Sequence, residues 1–333
     1  MSASRTLAPE ALRQWIRQAL VVCDLPDQDA AIVAEALVDT SLRGVDTHGV
    51  GLLAGYIDLL ERRVTNPRPA VAIERHGAFL KVDADRGLGQ VVVGRVLDRL
   101  IDMARELGSV TAAIGQVGHL AALGWFAHRA ADQGMISLVM QNGPPLMGLP
   151  GSTARAIGNN PIAFGIPVAG RPPVIFDVAT SEAAYGKILT AATKAEPIPD
   201  GWALDKSGRP TLDPHAAIGG ILLPSGGAKG IGLAMLVEAL AGSLTGTRAD
   251  YNTFGAFLLV VDPALGDAHF GEHVAGWLDR YAASGPAARY PGQRSEAIHQ
   301  QRCRDGIPVA DDLWVKLAQV AERTGVPLPE ETR

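Results

Sequence analysis

The chain has 333 residues, of which 47% are hydrophobic and 20% are charged, and its formal net charge is -5. This length allows two domains or one large domain with a smaller lobe, and the composition is that of an ordinary globular enzyme. The negative charge, without any basic run, argues against a nucleic-acid-binding surface.

The composition also argues against secretion and membrane insertion. Residues 1–20 carry charges, and no stretch of about 18 uncharged apolar residues occurs in the sequence. The two cysteines, Cys23 and Cys303, lie far apart and form no CxxC or Cys/His cluster. We therefore expect a soluble, cytoplasmic protein without a disulfide framework or a structural zinc site.

The N-terminal part of the chain is helical in pattern. Apolar residues at helical spacing predict helices over residues 9–20, 27–42 and 52–60. Between the last two lies RGVDTHG, residues 43–49, in which Gly44 and Gly49 interrupt the helical spacing. We expect this segment to be a polar junction between two helices.

From residue 71 onward, short apolar runs alternate with helical stretches, which predicts an α/β region. The predicted strands are residues 79–85, 111–115, 136–142, 162–167, 173–179, 221–224 and 256–263. The predicted helices are residues 91–106, 120–133, 233–244, 277–283 and 311–323. We expect residues 194–214 to be a linker, and the polar residues 291–302 to start with a turn.

A glycine-rich loop, SGGAKGIG, lies between a predicted strand end and a predicted helix, with Lys229 at its centre. Glycines let the backbone approach an anion, the helix start offers unpaired N–H groups, and the lysine adds a positive charge. The spacing fits neither GxxxxGK[ST] nor GxGxxG. The segment is therefore either a phosphate-binding loop of another kind or a glycine-rich helix start with a solvated lysine.

Two histidines are candidates for proton transfer. His48 follows Asp46 and Thr47, so a carboxylate or a hydroxyl could orient its ring. His119 follows Gly118 at the start of a predicted helix, where backbone N–H groups would lower its pKa. From the pattern alone, a structural turn residue is the favoured interpretation of each histidine.

Asp177 ends a predicted strand in FDVATS, where either a ligand contact or an Asx turn would fit.

The other histidines show no paired ligand spacing, except that His269 and His273 are four residues apart without an evident third ligand. We therefore predict no metal site, and we expect the histidines other than His48 and His119 to lie on the surface.

Six segments together resemble the malate/L-lactate dehydrogenase family that lies outside the Rossmann class. The matching segments, in family order, are SLRGVDTHG, GQVGHLAALGWFAHRAADQGMI, IGNNPIAFGIP, FDVATSEAAYGK, LLPSGGAKGIGLAMLVEALAGSLTG and the PGQ…GI region. They spread over nearly the whole chain and several are long, so the match is specific. Relatives in this family include ureidoglycolate, sulfolactate and diketogulonate enzymes and a cyclic-imine carboxylate reductase.

The resemblance implies a mixed α/β fold whose cofactor domain has a mainly antiparallel or mixed sheet, unlike the Rossmann sheet, so the missing GxGxxG motif is expected. It also implies a helical lobe built from both termini. We place this lobe at residues 1–75 and 286–333, carrying the DTHG motif, and the cofactor-binding domain at residues 76–285. A homodimer with its active site close to the subunit interface is implied as well.

The resemblance also implies roles for individual residues. His48 and His119 match the two histidines assigned to proton transfer in different members. The positions that match cofactor contacts are Asn142, Gly143, Asp177, Val178, Ala179, Lys229 and Gly292. The positions expected to contact the substrate are Arg43, Thr47, Gly158, Asn159, Asn160 and Lys187.

The sequence departs from the family pattern at two positions. Many members read HGxxR, with an arginine that grips the substrate carboxylate, but Leu52 stands at that position here. Either another cation, such as Arg43 or Lys187, takes this role or the substrate differs. Lys187 itself stands where imine-reducing members have an acidic residue, which favours the malate- and ureidoglycolate-type enzymes.

The resemblance therefore implies an enzyme that uses NAD or NADP to interconvert a small 2-hydroxy acid and its 2-oxo acid. One alternative is a reductase of a cyclic imine or of a diketo sugar acid. Another is a catalytically silent homologue that binds a nucleotide, an idea to which Leu52 gives weight.

Overall fold

The computed structural model describes residues 5–331. The strands are β1 (Arg5–Leu7), β2 (Ala72–His76), β3 (Phe79–Asp83), β4 (Ser109–Val117), β5 (Ile136–Gln141), β6 (Ile162–Ile166), β7 (Val174–Val178), β8 (Ala203–Leu204), β9 (Ile221–Leu222), β10 (Phe254–Val261) and β11 (Ile307–Val309). The helices are α1 (Pro9–Val22), α2 (Asp27–Leu42), α3 (Leu53–Glu61), α4 (Gly89–Leu107), α5 (Leu123–Asp132), α6 (Tyr185–Lys194), α7 (Pro214–Gly219), α8 (Ala228–Val237), α9 (Phe270–Ala282), α10 (Gln293–Asp305) and α11 (Asp311–Thr324).

A seven-stranded mixed sheet forms the centre of the fold, in the order β2-β3-β4-β10-β5-β6-β7. The β3–β4 pair is parallel and the other neighbours pair antiparallel. Alternate residues of β10, such as Leu258 and Val260, are fully buried in the large core that includes residues of α4 and α5. This confirms the mixed, non-Rossmann sheet.

A second core lies among helices contributed by both ends of the chain. It includes Trp15 of α1, Leu37 of α2, Ile57 of α3 and Val320 of α11. Strands β1 and β11 pair antiparallel, with Leu7 opposite Ile307, and so join the two ends directly. The expected helical lobe from both termini is therefore present.

Residues 194–214, expected to be a linker, belong instead to a small folded layer. Its core includes Met147, Ile188, Ile198 and Leu222, and β8 pairs with β9 within it. Strand β9 begins the predicted strand 221–224, but β8, with two residues, and α7, with six, are too short to show a hydrophobic period, so the pattern did not indicate them.

Several helices differ from expectation in their bounds or existence: α6 and α7 were not predicted, and α9 begins at Phe270 rather than at residue 277. Helix α10 occupies most of the segment expected to start with a turn, and it is polar all round, so it has no apolar stripe. Helix α5 starts at Leu123 rather than residue 120, because Ala121 has a left-handed φ of 63°. Helix α8 starts at Ala228 and continues into a π-helix, Glu238–Ser243, where one continuous helix over 233–244 was expected.

None of the helices within residues 5–331 combines the length and the apolar character needed to cross a membrane.

Candidate active site

The DTHG segment and the three residues after it form two successive 3-10 turns, Asp46–His48 and Val50–Leu52, between α2 and α3. Ser41 of α2 accepts a hydrogen bond from Val50 N through its Oγ at 3.0 Å. A Cβ on Gly49 would lie 2.1 Å from the same Oγ. Glycine is therefore required at this position, because the turn packs directly against the end of α2.

Arg302 of α10 holds this turn from the other side. Its guanidinium donates to both carboxylate oxygens of Asp46, with the Nη2–Oδ2 distance 3.1 Å, and also to the carbonyl oxygen of Ser41. Both carboxylate oxygens of Asp46 are therefore hydrogen-bonded to Arg302. The ring of His48 is oriented instead by Thr47, whose Oγ1 lies 2.9 Å from Nδ1.

His48 and His119 lie side by side although 70 residues of chain separate them. Their ring centroids are 6.1 Å apart, and the ring of Phe254 lies 5.8 Å from that of His119. Burial lowers the pKa of His48. The pKa of His119 is lowered to about 4, first by burial and then by the neighbouring His48. At neutral pH both imidazoles are therefore uncharged.

The expected cause of the lowered His119 pKa was wrong. Helix α5 begins four residues after His119, at Leu123, so His119 does not stand in its first turn. The histidine lies in the loop that follows β4, and Gln141 holds this loop in place. Its Oε1 accepts from Leu120 N at 3.1 Å and its Nε2 donates to the carbonyl oxygen of Gly118 at 3.2 Å.

Two buried polar side chains contact His119 and carry no sequence motif. The hydroxyl of Tyr56, on α3, lies 3.2 Å from His119 Nδ1. Gln90, on α4, donates to this hydroxyl at 2.9 Å and to the His119 carbonyl oxygen at 3.1 Å. The sequence analysis missed both residues, because their contact with His119 arises only from the packing of α3 and α4.

A hydrogen-bonded network joins the polar turn after β5 to the π-helix. Asn160 Oδ1 accepts from Gly143 N at 2.9 Å, and its Nδ2 donates to Glu238 Oε2 at 3.1 Å. Asn142 Oδ1 accepts from Gly255 N at 2.8 Å, while its Nδ2 lies 3.4 Å from Glu238 Oε1. Glu238 therefore organises this turn; it lies within the LLPSGGAKGIGLAMLVEALAGSLTG segment, but the sequence analysis assigned it no role.

The Gly158–Asn159–Asn160 segment is fixed by close backbone packing. A Cβ on Gly158 would lie 2.2 Å from Asn160 Oδ1 and 2.5 Å from the carbonyl oxygen of Gly143. The Asn159 carbonyl oxygen accepts from Thr180 N at 2.9 Å. The segment thus connects the network around Glu238 to the end of β7.

The glycine–lysine loop adopts the geometry expected at a helix start. Gly226 and Gly227 have φ values of 60° and 63°, and α8 begins directly after them. A Cβ on Gly230 would lie 2.6 Å from the carbonyl oxygens of Ser225 and Thr180, so the loop packs tightly against the segment after β7. The side chain of Lys229 is exposed.

The expected cofactor contacts at Asp177, Val178, Ala179 and Gly292 lie at or beside β7. Asp177 Oδ2 accepts from Gly124 N, at the start of α5, at 2.7 Å. Gly292 has a φ of 99°, and a Cβ there would lie 3.1 Å from the backbone nitrogen of Ile175. The structure thus brings the PGQ segment against the same strand that carries Asp177.

The two cations considered for the substrate carboxylate differ in their surroundings. Arg43 is paired with Asp39 at 2.9 Å and Glu296 at 3.2 Å and is largely buried, so the expectation that it binds substrate is not supported. Lys187 is exposed, with no carboxylate of residues 5–331 within 4 Å of its Nζ, which lies 6.0 Å from the Trp202 ring centroid.

Helix α6, which carries Lys187, packs against the DTHG turn. A Cβ on Gly186 would lie 3.6 Å from the Cβ of Thr47. The side chain of Leu52 is half-buried and packs against the core of the helical lobe. Lys187 therefore follows a glycine that packs against the DTHG turn and has no carboxylate partner within residues 5–331, whereas Arg43, at the start of the RGVDTHG segment, is paired with two carboxylates.

Two histidines expected on the surface are partly buried instead. His128 Nδ1 lies 2.9 Å from Asp132, and His299 Nε2 lies 3.5 Å from Asp39. Both stand near Arg43, in a polar cluster between α2, α5 and α10, where the charged partners offset the cost of burial.

The comparisons with known proteins agree with one another. Residues 7–318 match the malate/L-lactate dehydrogenase family. The chain is 34% identical to a (2R)-3-sulfolactate dehydrogenase (NADP(+)) of Chromohalobacter salexigens, over 85% of this chain and 89% of that protein. It is 31% identical to a ureidoglycolate dehydrogenase (NAD(+)) of Escherichia coli, over 92% of this chain and 93% of that protein.

The fold is likewise shared with a solved structure, the delta1-piperideine-2-carboxylate reductase of Pseudomonas syringae pvar. tomato. The TM-score is 0.89 at 32% identity, and the alignment covers 96% of this chain and 99% of that one. Because the family match spans nearly the whole chain, this chain belongs to the malate/L-lactate dehydrogenase family.

Proposed function

We propose that this protein is an NAD(P)-dependent oxidoreductase that interconverts a small 2-hydroxy acid and its 2-oxo acid. The observation that carries the proposal is the adjacent pair of uncharged imidazoles, His48 and His119, whose ring centroids are 6.1 Å apart. Oxidation of a hydroxyl needs a nearby group that exchanges a proton at neutral pH, and imidazole suits this role. Relatives that act on sulfolactate and ureidoglycolate support the substrate class.

The chain offers a fitting place for a dinucleotide. Gly226 and Gly227 leave the approach to the start of α8 free of side chains, and Lys229 adds an exposed positive charge there. We infer that the cofactor is held by Lys229 together with Asn142, Gly143, Asp177, Val178, Ala179 and Gly292. When bound, the nicotinamide supplies the chemistry of hydride acceptance and donation.

We infer that the substrate is held beside the DTHG turn. Lys187 supplies the positive charge for the carboxylate in place of the arginine absent at Leu52, and Thr47 and residues 158–160 supply polar contacts. A lysine binds a carboxylate as a point charge, without the bidentate geometry of arginine, so this site tolerates a wider range of carboxylate orientations.

A panel of substrates tests this function. The absorbance of NADH and NADPH would be followed with 2-oxo acids that include oxaloacetate, pyruvate and 3-sulfopyruvate. We expect turnover of at least one 2-oxo acid, and weaker binding of that substrate, seen as a raised KM, in Lys187→Met. Turnover of a cyclic imine carboxylate with all 2-oxo acids inert would contradict the proposal.

That outcome would favour the second candidate, a reductase of a cyclic imine or of a diketo sugar acid. The structural similarity to the piperideine-2-carboxylate reductase is the observation in its favour. Against it stands Lys187, an exposed cation beside the DTHG turn. A positive charge there disfavours a protonated, cationic imine.

We further propose a homodimer. Helix α8 and the π-helix expose apolar side chains, including Met235 at 60% and Leu236 at 45% of their surface, next to the Lys229 loop. Such a surface is typical of a contact between subunits.

We also infer a cytoplasmic location, because Cys23 and Cys303 are free. The division into a lobe of residues 1–75 and 286–333 and a cofactor domain of residues 76–285 remains a proposal.

A further inference from the structure

The hydrogen bonds around His119 have directions that can be assigned from groups that only donate or only accept. Gln90 places one amide atom 2.9 Å from the Tyr56 hydroxyl and 3.1 Å from the carbonyl oxygen of His119. A carbonyl oxygen only accepts, so this atom is the amide nitrogen. Gln90 therefore donates to Tyr56, and the hydroxyl proton of Tyr56 points elsewhere.

A second donor-only group faces His119. The backbone nitrogen of Ala121 lies 3.3 Å from His119 Nδ1, and a backbone N–H only donates. Nδ1 is therefore the acceptor. The Tyr56 hydroxyl lies 3.2 Å from the same Nδ1 and 3.4 Å from the carbonyl oxygen of His119, so Nδ1 is the nearer of the two acceptors for its proton. The Ala121 N–H thus fixes Nδ1 as an acceptor, and the Tyr56 hydroxyl faces Nδ1 as its nearer acceptor.

The other ring nitrogen follows from this polarity. A neutral imidazole with an accepting Nδ1 carries its proton on Nε2. Within residues 5–331, Nε2 of His119 has no hydrogen-bond partner, while the ring stands beside His48 and Phe254. Nε2–H is therefore free to donate to a bound molecule.

We propose that Gln90 and Tyr56 hold His119 in the neutral form protonated on Nε2, so that His119 donates a hydrogen bond to the substrate oxygen while His48 exchanges the proton. This inference rests on the proposed function. Gln90 and Tyr56 are positioning residues, because they act through His119.

The two histidines then have different chemistry. An Nε2–H group stabilises the developing negative charge on the substrate oxygen but cannot accept a proton. His48 can, because Thr47 beside its Nδ1 accepts as well as donates and so allows Nδ1–H with a free lone pair on Nε2. In the oxidation direction the hydroxyl proton would pass to His48 Nε2 as the C–O bond becomes a carbonyl, and a bound oxidised nicotinamide would accept the hydride from the same carbon.

The low pKa of His119, about 4, agrees with this assignment, because the ring stays neutral throughout the physiological range. The titratable groups that face it are His48 and Tyr56, and burial raises the pKa of the Tyr56 hydroxyl. No neighbouring acid therefore supplies a second proton to His119 at neutral pH.

Nuclear magnetic resonance of the full chain with 15N-labelled histidine tests the proposal without substrate or cofactor. The His119 signals would be assigned by their loss in His119→Gln. We expect a protonated Nε2 and an unprotonated Nδ1 at pH 7, unchanged down to about pH 5. A neutral ring protonated on Nδ1, or a charged ring at pH 7, would overturn the proposal whatever the enzyme's substrate proves to be.

Variants of the positioning residues sharpen this test. Gln90→Glu places an acceptor against the Tyr56 hydroxyl and draws its proton away from His119, so we expect the Nδ1 signal to move toward the protonated form. Tyr56→Phe removes the donor and should also shift the Nδ1 signal, whereas the control Tyr290→Phe, in a separate apolar cluster, should not. An Nδ1 signal unchanged in both Gln90→Glu and Tyr56→Phe would contradict the roles given to these residues.

Turnover then separates the two histidines. The side-chain amide of glutamine can donate from near the Nε2 position but cannot exchange a proton at neutral pH. We expect His119→Ala to lower kcat about 100-fold and His119→Gln to recover about 10-fold of that loss. His48→Gln should recover nothing relative to His48→Ala, and the opposite pattern would overturn the division of roles. Absence of turnover on every substrate, with the expected His119 signals intact, would reject the proposed function alone.

Discussion

His119 connects the chemistry of the site to the stability of the fold. Its pKa of about 4 in the folded chain lies below the ordinary value of 6.5. Because the unfolded chain binds this proton more readily, folding stability is lost as the pH falls from 6.5 toward 4. The full contribution is present above pH 6.5, and about 2 kcal/mol of it is lost by pH 5.

Urea unfolding at pH 7.5 and pH 5 measures this effect. Other groups titrate in the same range, so the comparison is between the wild type and His119→Gln. We expect the loss of stability between the two pH values to be smaller by about 2 kcal/mol in the variant, which has no imidazole at this position. An equal loss in both proteins would show that the His119 pKa is not lowered by the fold.

At the scale of single residues, the sequence singles out some members of the candidate site and gives no sign of others. His48 and Lys229 stand in short segments whose neighbours suggest their chemistry, and the structure places both segments as turns at helix starts. Tyr56, Gln90 and Glu238 are ordinary helical residues in the sequence. Their partners lie tens of residues away, so no local pattern could indicate them.

Among the elements, α10 has the most direct connection to the active site. Through Arg302 it binds both Asp46, in the turn that carries His48, and the carbonyl oxygen of Ser41 at the end of α2. Arg302 is largely buried in this contact, unlike the solvated surface pairs elsewhere on the chain. The turn therefore depends on a helix 250 residues further along the sequence.

We expect Arg302→Met to lower kcat about 10-fold with little change in cofactor affinity, because the His48 turn loses its anchor while the Lys229 loop is untouched. Steady-state rates and calorimetric titration with the cofactor would check this. Arg304→Met is the matched control, because Arg304 is an exposed arginine on the same helix. Equal rates for the two variants would show that α10 does not position His48.

The elements also show the limits of periodicity. The amphipathic α1, α4 and α11 were predicted within a few residues, because each has a clear apolar face. Helix α10 was not, because ion pairs and hydrogen bonds hold it against α2 in place of an apolar stripe. The change from α8 to a π-helix at Glu238 depends on packing that a sequence period does not encode.

At the level of the whole molecule, the site forms where two cores meet. His48 and Tyr56 come from the helical lobe, whereas Gln90 and His119 come from the layer around the central sheet. Helix α4 contributes Val91 to the lobe's core and Val92 to the sheet's core, so the two cores share a boundary. The hydrogen bond between Tyr56 and His119 therefore crosses from one core to the other.

The exposed apolar face of α8 leads to a prediction about assembly. Light scattering after size-exclusion chromatography should give twice the monomer mass for the wild type. We expect Leu236→Asp to shift the protein toward monomer, because a buried charge would destabilise the contact. Leu212→Asp, at an apolar residue exposed elsewhere on the chain, should leave the mass unchanged. A monomeric wild type would contradict the proposed homodimer.

The most direct test of the central claim is the rate of 2-oxo acid reduction in His48→Ala and His119→Ala, measured by NAD(P)H absorbance at saturating cofactor. Because each imidazole contributes to the same transition state, we predict that each substitution lowers kcat about 100-fold or more, with the fold intact by circular dichroism. Wild-type turnover in both variants would show that the histidine pair is not the catalytic centre.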